Sequence, residues 1–144
     1  MGKRTWIDSD IWSDTDDLDE KGKLFYLYLL TNGQRNIAGY YRVNLNYMAL
    51  DLNMSKADVE RLLMTETKYW AYDNLTKQVL IPKFTRYNVV KSRQQISKMN
   101  SELSILKPCL LHALFVKAFE EVNGEGASEL IDPKFKAASR SYIY

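Results

Sequence analysis

The sequence predicts a mainly α protein with a small β-hairpin, arranged as a winged helix-turn-helix core with extra N- and C-terminal helices. Three observations carry this. Two short apolar stripes, over Asn44 to Leu52 and Ser55 to Met64, are separated by Asn53-Met54 alone, which is helix, tight turn, helix. A strand-like run, Gly39-Tyr40-Tyr41-Arg42-Val43, comes just before them. Just after them, Trp70-Ala71-Tyr72 and Val79-Leu80-Ile81 flank the polar turn Asp73 to Lys77, the pattern of a hairpin.

The bulk composition sets the frame. A chain of 144 residues is long enough for one domain with a buried core. Its 46% hydrophobic and 26% charged residues are ordinary for a globular protein, and a net charge of +2 is too small to name a partner by itself. The single cysteine, Cys109, excludes an internal disulfide. Met1-Gly2-Lys3-Arg4 leads into Trp6-Ile7-Asp8 without the apolar centre of a signal peptide. No apolar run approaches the roughly 18 residues a membrane span needs. A cytoplasmic protein with no membrane partner is the expectation.

Three segments follow from patterning: an N-terminal extension over residues 1–17, a winged-helix domain with flanking helices over 18–122, and a tail or linker over 123–144. In the extension, Trp6, Ile7, Ile11 and Trp12 are expected to lie over the domain or over a partner chain. The acids Asp14, Asp16, Asp17, Asp19 and Glu20 crowd the start of the next helix, where exposed N–H groups favour anions. Asp17 and Glu20 have capping-box spacing. That placement is preferred to a metal site.

The first long helix is expected from about Leu18 to Thr31. Leu24, Leu27, Tyr28 and Leu30 form its inner face, while Phe25, Tyr26 and Leu29 make it apolar almost all round. Asn32-Gly33 stops it. In the next helix Leu45, Met48, Ala49 and Leu52 make one stripe, with Asn44 as N-cap. The following helix has Ser55 as N-cap and turns Val59, Leu62 and Leu63 inward. Its opposite face carries Ala57, Arg61, Met64 and Lys68, and this is the helix that would enter a major groove. From Lys56 to Lys68 three basic residues are matched by three acids, Asp58, Glu60 and Glu66, so the helix is electrically neutral.

The cations lie further on. Between Asp73 and Glu102 there is no acid, yet six basic residues occur: Lys77, Lys83, Arg86, Lys91, Arg93 and Lys98. Phe84, Tyr87, Asn88, Gln94 and Gln95 are interleaved with them, and the amide and tyrosine side chains can add neutral phosphate or base contacts. Lys77 is expected at the hairpin tip, reaching along a phosphate backbone. With Lys56 and Arg61, these residues form the candidate DNA-binding set.

Ser92 to Lys107 reads as a helix with Ile96, Met99, Leu103 and Leu106 at alternating spacings of three and four, a seam of two heptads. Packing of the seam on its own domain is preferred to packing on a second subunit. Together with Trp6 and Trp12 it is the candidate oligomerisation surface. After Pro108, the stripe Leu111, Leu114, Phe115, Ala118, Phe119 and Val122 predicts another amphipathic helix ending at Asn123-Gly124. Cys109 and His112 are read as a buried thiol and a partly exposed imidazole. Zinc needs about four ligands, and no further Cys or His exists. No catalytic residue, metal or cofactor is called for. The tail after Gly126, with Lys134, Lys136 and Arg140, is weakly basic and expected to be flexible.

Three stretches together resemble the N-terminal domains of phage and bacterial replication-initiation proteins, the DnaD-like replisome organisers. They are Leu24 to Asn32 (LFYLYLLTN), Gly39 to Val43 (GYYRV) and Val79 to Tyr87 (VLIPKFTRY), within a likeness spanning roughly residues 5 to 122. The resemblance implies a winged-helix core used for DNA attachment and often for self-association. It also implies partners among replication proteins such as a helicase or its loader. The leading expectation is a non-enzymatic DNA-binding domain of a replication-initiation protein, binding duplex or single-stranded DNA through the wing and the basic segment after it. The alternatives are a winged-helix module for oligomerisation or loader docking, and a phage transcriptional regulator.

Overall fold

A computed structural model describes residues 4–142. Among these the chain forms eight α-helices and one small three-stranded sheet, a mainly α fold with a β-hairpin. The helices are α1 (Ile11–Asp14), α2 (Glu20–Thr31), α3 (Leu45–Leu52), α4 (Lys56–Leu63), α5 (Phe84–Tyr87), α6 (Arg93–Ser104), α7 (Leu110–Asn123) and α8 (Pro133–Arg140). The strands are β1 (Tyr40–Arg42), β2 (Ala71–Asp73) and β3 (Gln78–Leu80).

The strands pair antiparallel in the order β1-β3-β2, so the strand before the two short helices lies beside the last strand of the hairpin. Side chains alternate across a strand, and here both faces are covered. Tyr41 pairs with Val79 and faces a cluster built by Phe25, Tyr26, Leu29, Met48, Val59, Leu63 and Trp70. Tyr40 pairs with Leu80 and faces a second cluster of Met99, Leu103, Leu111, Phe115, Phe119 and Phe135. The sheet is thus a thin middle layer between α2–α4 on one side and α6–α8 on the other.

Local chemistry explains the helix boundaries. Asn44 and Ser55 cap α3 and α4, their side chains accepting from Asn46 and Tyr47 N–H and from Asp58 N–H. Asn53 closes α3 with φ 54°, a left-handed conformation that asparagine tolerates. Ser92 and Gln95 form a full capping box at the start of α6. At the mouth of β1, Asn36 Oδ1 accepts from Gly39 and Tyr40 N–H while its Nδ2 donates to Tyr40 C=O. Gly39 itself stands at φ +71°, with a hypothetical Cβ only 2.2 Å from Phe84 Cβ.

Several expectations are corrected. The helix cap is Asp19, which accepts from Gly22 N–H at 2.7 Å. Asp17 instead receives the Tyr69 hydroxyl, a bond that holds its carboxyl below the usual carboxylate range. The inner face of α2 is Phe25, Tyr26, Leu29 and Leu30, whereas Leu24 is exposed. Both sets have helical spacing; the buried one packs Phe25 and Tyr26 against Tyr69 and Trp70, just before β2. The segment before residue 18, expected to lie over the domain or a partner chain, packs on the domain through Ile11 but not through its tryptophans. Ile11 is buried, Arg35 Nε donates to Thr5 Oγ1, and Asn88 holds the backbone of Trp6.

The tail after 122 belongs to the fold. Ile131 and Phe135 are buried in the second cluster, and α8 begins at an Asp132 cap with Pro133 at its first turn. Glu120 ties the turn before it, its carboxylate accepting from Ser128 N–H (2.6 Å) and Gly126 N–H (2.5 Å). His112 is buried, not partly exposed. Its Nδ1 lies 2.6 Å from the Tyr40 hydroxyl, and its ring stacks on Phe135 with centroids 4.2 Å apart. Among the described residues no helix is long and apolar enough to cross a membrane.

Candidate nucleic-acid interface

The expected DNA-binding residues do not form one run on the surface. The chain turns at Pro82 into α5 and then swings into α6, so neighbours in sequence face different clefts. Lys83 and Arg86 line a cleft of about 420 Å³ with Lys68 and Glu121, against α7. Lys91 lines another near Trp6. Arg93 and Lys98 lie on the exposed side of α6 with Gln94, Ser97 and Ser101.

Lys56 and Lys77 are the pair that folding brings together. They line a cleft of about 440 Å³ at the foot of the hairpin, with Arg42 from the end of β1 and with Gln34, Val43, Asn44 and Leu45. No acid lines it. Arg42 was absent from the sequence-derived set, because 14 and 35 positions separate it from Lys56 and Lys77. Its signal was positional: in a strand reading Tyr-Tyr-Arg, a charged residue at the end marks where the sheet meets water.

The cleft is anchored from several sides. Val43 N–H donates to Lys77 C=O at 2.8 Å, which fastens the end of β1 to the base of the hairpin. Asn44 N–H donates to Gln34 Oε1, which joins the start of α3 to the connection after α2. Lys77 sits at φ 57°, a conformation uncommon for a side chain of this kind. It is therefore not a free tip residue. Its Nζ contacts Glu60 Oε2 at 3.1 Å and Asn74 Oδ1 at 2.7 Å, and the tip itself presents Leu75, 92% exposed.

These pairings change the charge balance of α4. Asp58 is taken by Arg61 at 2.7 Å in an exposed i,i+3 pair, and Glu60 by Lys77. An exposed pair such as Arg61–Asp58 contributes about 0–1 kcal/mol, whereas Lys77–Glu60 is partly buried. Among the described residues neither Arg42 nor Lys56 makes an ion pair. Glu60 also sits 3.5 Å from the Tyr72 hydroxyl. Burial first, then that carboxylate, pushes the Tyr72 phenol up to about 12, so it stays a neutral hydrogen-bonding group.

The candidate oligomerisation residues divide. Met99 and Leu103 are fully buried in the chain's own second cluster, with Ile96 and Leu106 packed against it. The seam is filled intramolecularly and offers no face to a second copy. The spacing was right, but the surface it fits is the sheet and α7 of the same chain. Trp6 and Trp12 do not cover the domain; they are 77% and 59% exposed, while Ile7 and Ile11 supply the packing. Among the described residues no group of three or more His, Cys, Asp or Glu is placed to hold a metal.

Compared with protein-family models, with curated proteins and with solved structures, the chain matches none.

Proposed function

We propose that the chain is a DNA-binding domain that grips the phosphate backbone at the foot of its hairpin, within a winged helix-turn-helix formed by α2, β1, α3, α4, β2 and β3. The convergence of Arg42, Lys56 and Lys77 on one acid-free cleft carries this reading. The element order and the β1-β3-β2 pairing support it, as does a lysine lining the cleft from an uncommon left-handed backbone conformation. The outer face of α4 offers Ala57, Arg61 and Met64, a poor complement of base readers. Backbone contact without strong sequence preference follows. The wider role in replication initiation, with a helicase or loader as partner, rests on the resemblance of 24–32, 39–43 and 79–87.

Titration of labelled duplex DNA at two salt concentrations tests it. Each phosphate contact adds about 0.9 to the slope of log affinity against log salt, so Arg42→Ala and Lys56→Ala each lower that slope by about 0.9. Scrambled duplexes compete equally. Absence of binding at low salt, or unchanged binding after Arg42→Ala, Lys56→Ala and Lys77→Ala together, overturns the reading.

A further inference from the structure

Trp6 leaves 77% of its surface in water, yet its backbone is fixed. Asn88 clamps it at two points: Trp6 N–H donates to Asn88 Oδ1 at 2.7 Å, and Asn88 Nδ2 donates to Trp6 C=O at 3.1 Å. Phe84 C=O lies 3.5 Å from the same Nδ2, which ties the clamp to α5. Thr5, the preceding residue, accepts from Arg35 Nε. An indole held by its main chain and not by its ring is positioned for something other than the core. Burying a large aromatic is strongly favourable, so a sequence that merely needed an anchor here would turn the ring inward, as it does with Ile11.

The ring lines a cleft of about 530 Å³, within the range of roughly 300–1,000 Å³ usual for ligand sites. Tyr87, Ile37 and Val89 give it an apolar lining, and Arg4 and Lys91 bring cations. No acid lines it. Gln95 is there too, with its Oε1 occupied by the N–H groups of Lys91 and Ser92, which leaves its amide N–H groups as donors. A second cleft of about 270 Å³ adjoins this one through Arg4, Ile37 and Asn88 and adds Lys98, along with Glu102, whose Oε1 accepts from Ile37 N–H.

A flat exposed aromatic beside a track of cations and amides is the chemistry of single-strand binding. Every base has a face to stack, and the backbone needs only charge. We infer that the cleft between Trp6 and the start of α6 is a second nucleic-acid site, taking an unpaired base on the Trp6 indole while Arg4, Lys91 and Lys98 meet the flanking phosphates. A duplex does not satisfy it, because its bases are already stacked on one another. The site shares no lining residue with the cleft at the hairpin foot, so it stands or falls independently of duplex binding.

The test uses the full chain with Trp12→Phe, so that Trp6 is the exposed indole and Trp70, 2% exposed, stays silent. Titration with oligo-dT at low salt gives saturable quenching. By anisotropy of labelled oligo-dT, which needs no indole on the protein, Trp6→Ala, a surface change that leaves the fold intact by far-ultraviolet circular dichroism, weakens binding about tenfold to a hundredfold. Trp6→Phe restores most of it, since a phenyl ring also stacks. Arg4→Ala with Lys91→Ala reduces the salt slope, whereas Arg42→Ala with Lys56→Ala leaves oligo-dT binding in place while removing duplex binding. Absence of quenching, equal affinity of Trp6→Ala, or equal affinity for an abasic oligomer of the same length overturns the inference.

Discussion

Single residues set the tightest constraints. Gly39 combines a positive φ with a backbone pressed against Phe84, so Gly39→Ala meets both left-handed strain and overpacking. A loss of about 3 kcal/mol or more is expected in urea unfolding. His112 gives a pH signature. Burial holds its imidazole down from 6.5 to about 4, so between those values the unfolded chain binds a proton that the folded chain refuses. This contribution to stability is flat above about pH 7.5 and is lost as pH drops toward 4, by roughly 3 kcal/mol in all. Ordinary carboxylates begin to titrate near the lower end of this window, so the slope above pH 5 belongs to the imidazole. As the chain has one histidine, a single ring resonance titrating near pH 4, and a flattened slope in His112→Gln, check the assignment. The Tyr40 hydroxyl can take the Gln78 Nε2–H at 3.2 Å and give its own proton to His112 Nδ1, so the neutral ring is the form that fits.

At the scale of elements, α6 and α8 are the informative cases. The seam on α6 is a core stripe, so two positions two residues apart behave oppositely. Leu103→Ala costs about 2–5 kcal/mol, while Ile105→Ser, at a position 82% exposed, stays within about 0.5 kcal/mol. Thermal melts of the two variants decide this, and sedimentation of Leu103→Ala shows no change attributable to a lost seam between copies. The caps of α3 and α4 were legible, since Asn44 and Ser55 precede apolar stripes and act within three residues of themselves. The α8 signals were equally local: an Asp-Pro start, then Phe135 and Ser139 one turn apart on the buried face. A short basic segment near a chain end reads as a linker unless those cues are weighed against its charge.

At the scale of the molecule, the sheet joins two cores that no helix spans alone. Gln78 is the clearest link, its amide accepting Lys107 N–H at 2.7 Å and donating to Lys107 C=O at 2.9 Å from a strand whose residues are all buried. Damage on one side is therefore expected to be felt on the other. Phe135→Ala removes the ring stacked on His112 and costs about 3 kcal/mol. Trp70 lies in the opposite cluster. Its near-ultraviolet signal is expected to shift by the same amount as the far-ultraviolet signal, in one transition. Separate midpoints would mean the two layers unfold apart.

What the sequence determined by itself was local: helix limits set by caps and glycine or asparagine stops, strand positions set by short apolar runs beside a polar turn, and the absence of a disulfide set by a single cysteine. Such features depend on residues within about one turn of each other, so reading along the chain reaches them. What the tertiary structure decided was direction and company. Only tertiary packing chose between two apolar faces of α2, turned the Ile96 to Leu106 seam inward, and left Trp6 and Trp12 in water. Only the β1-β3 pairing carried Arg42 to Lys56 and Lys77. A stretch with six cations looked like one surface because charge is countable in sequence, whereas the side of the molecule each cation faces depends on turns such as the one at Pro82. For this protein the candidate backbone grip lies where distant residues meet.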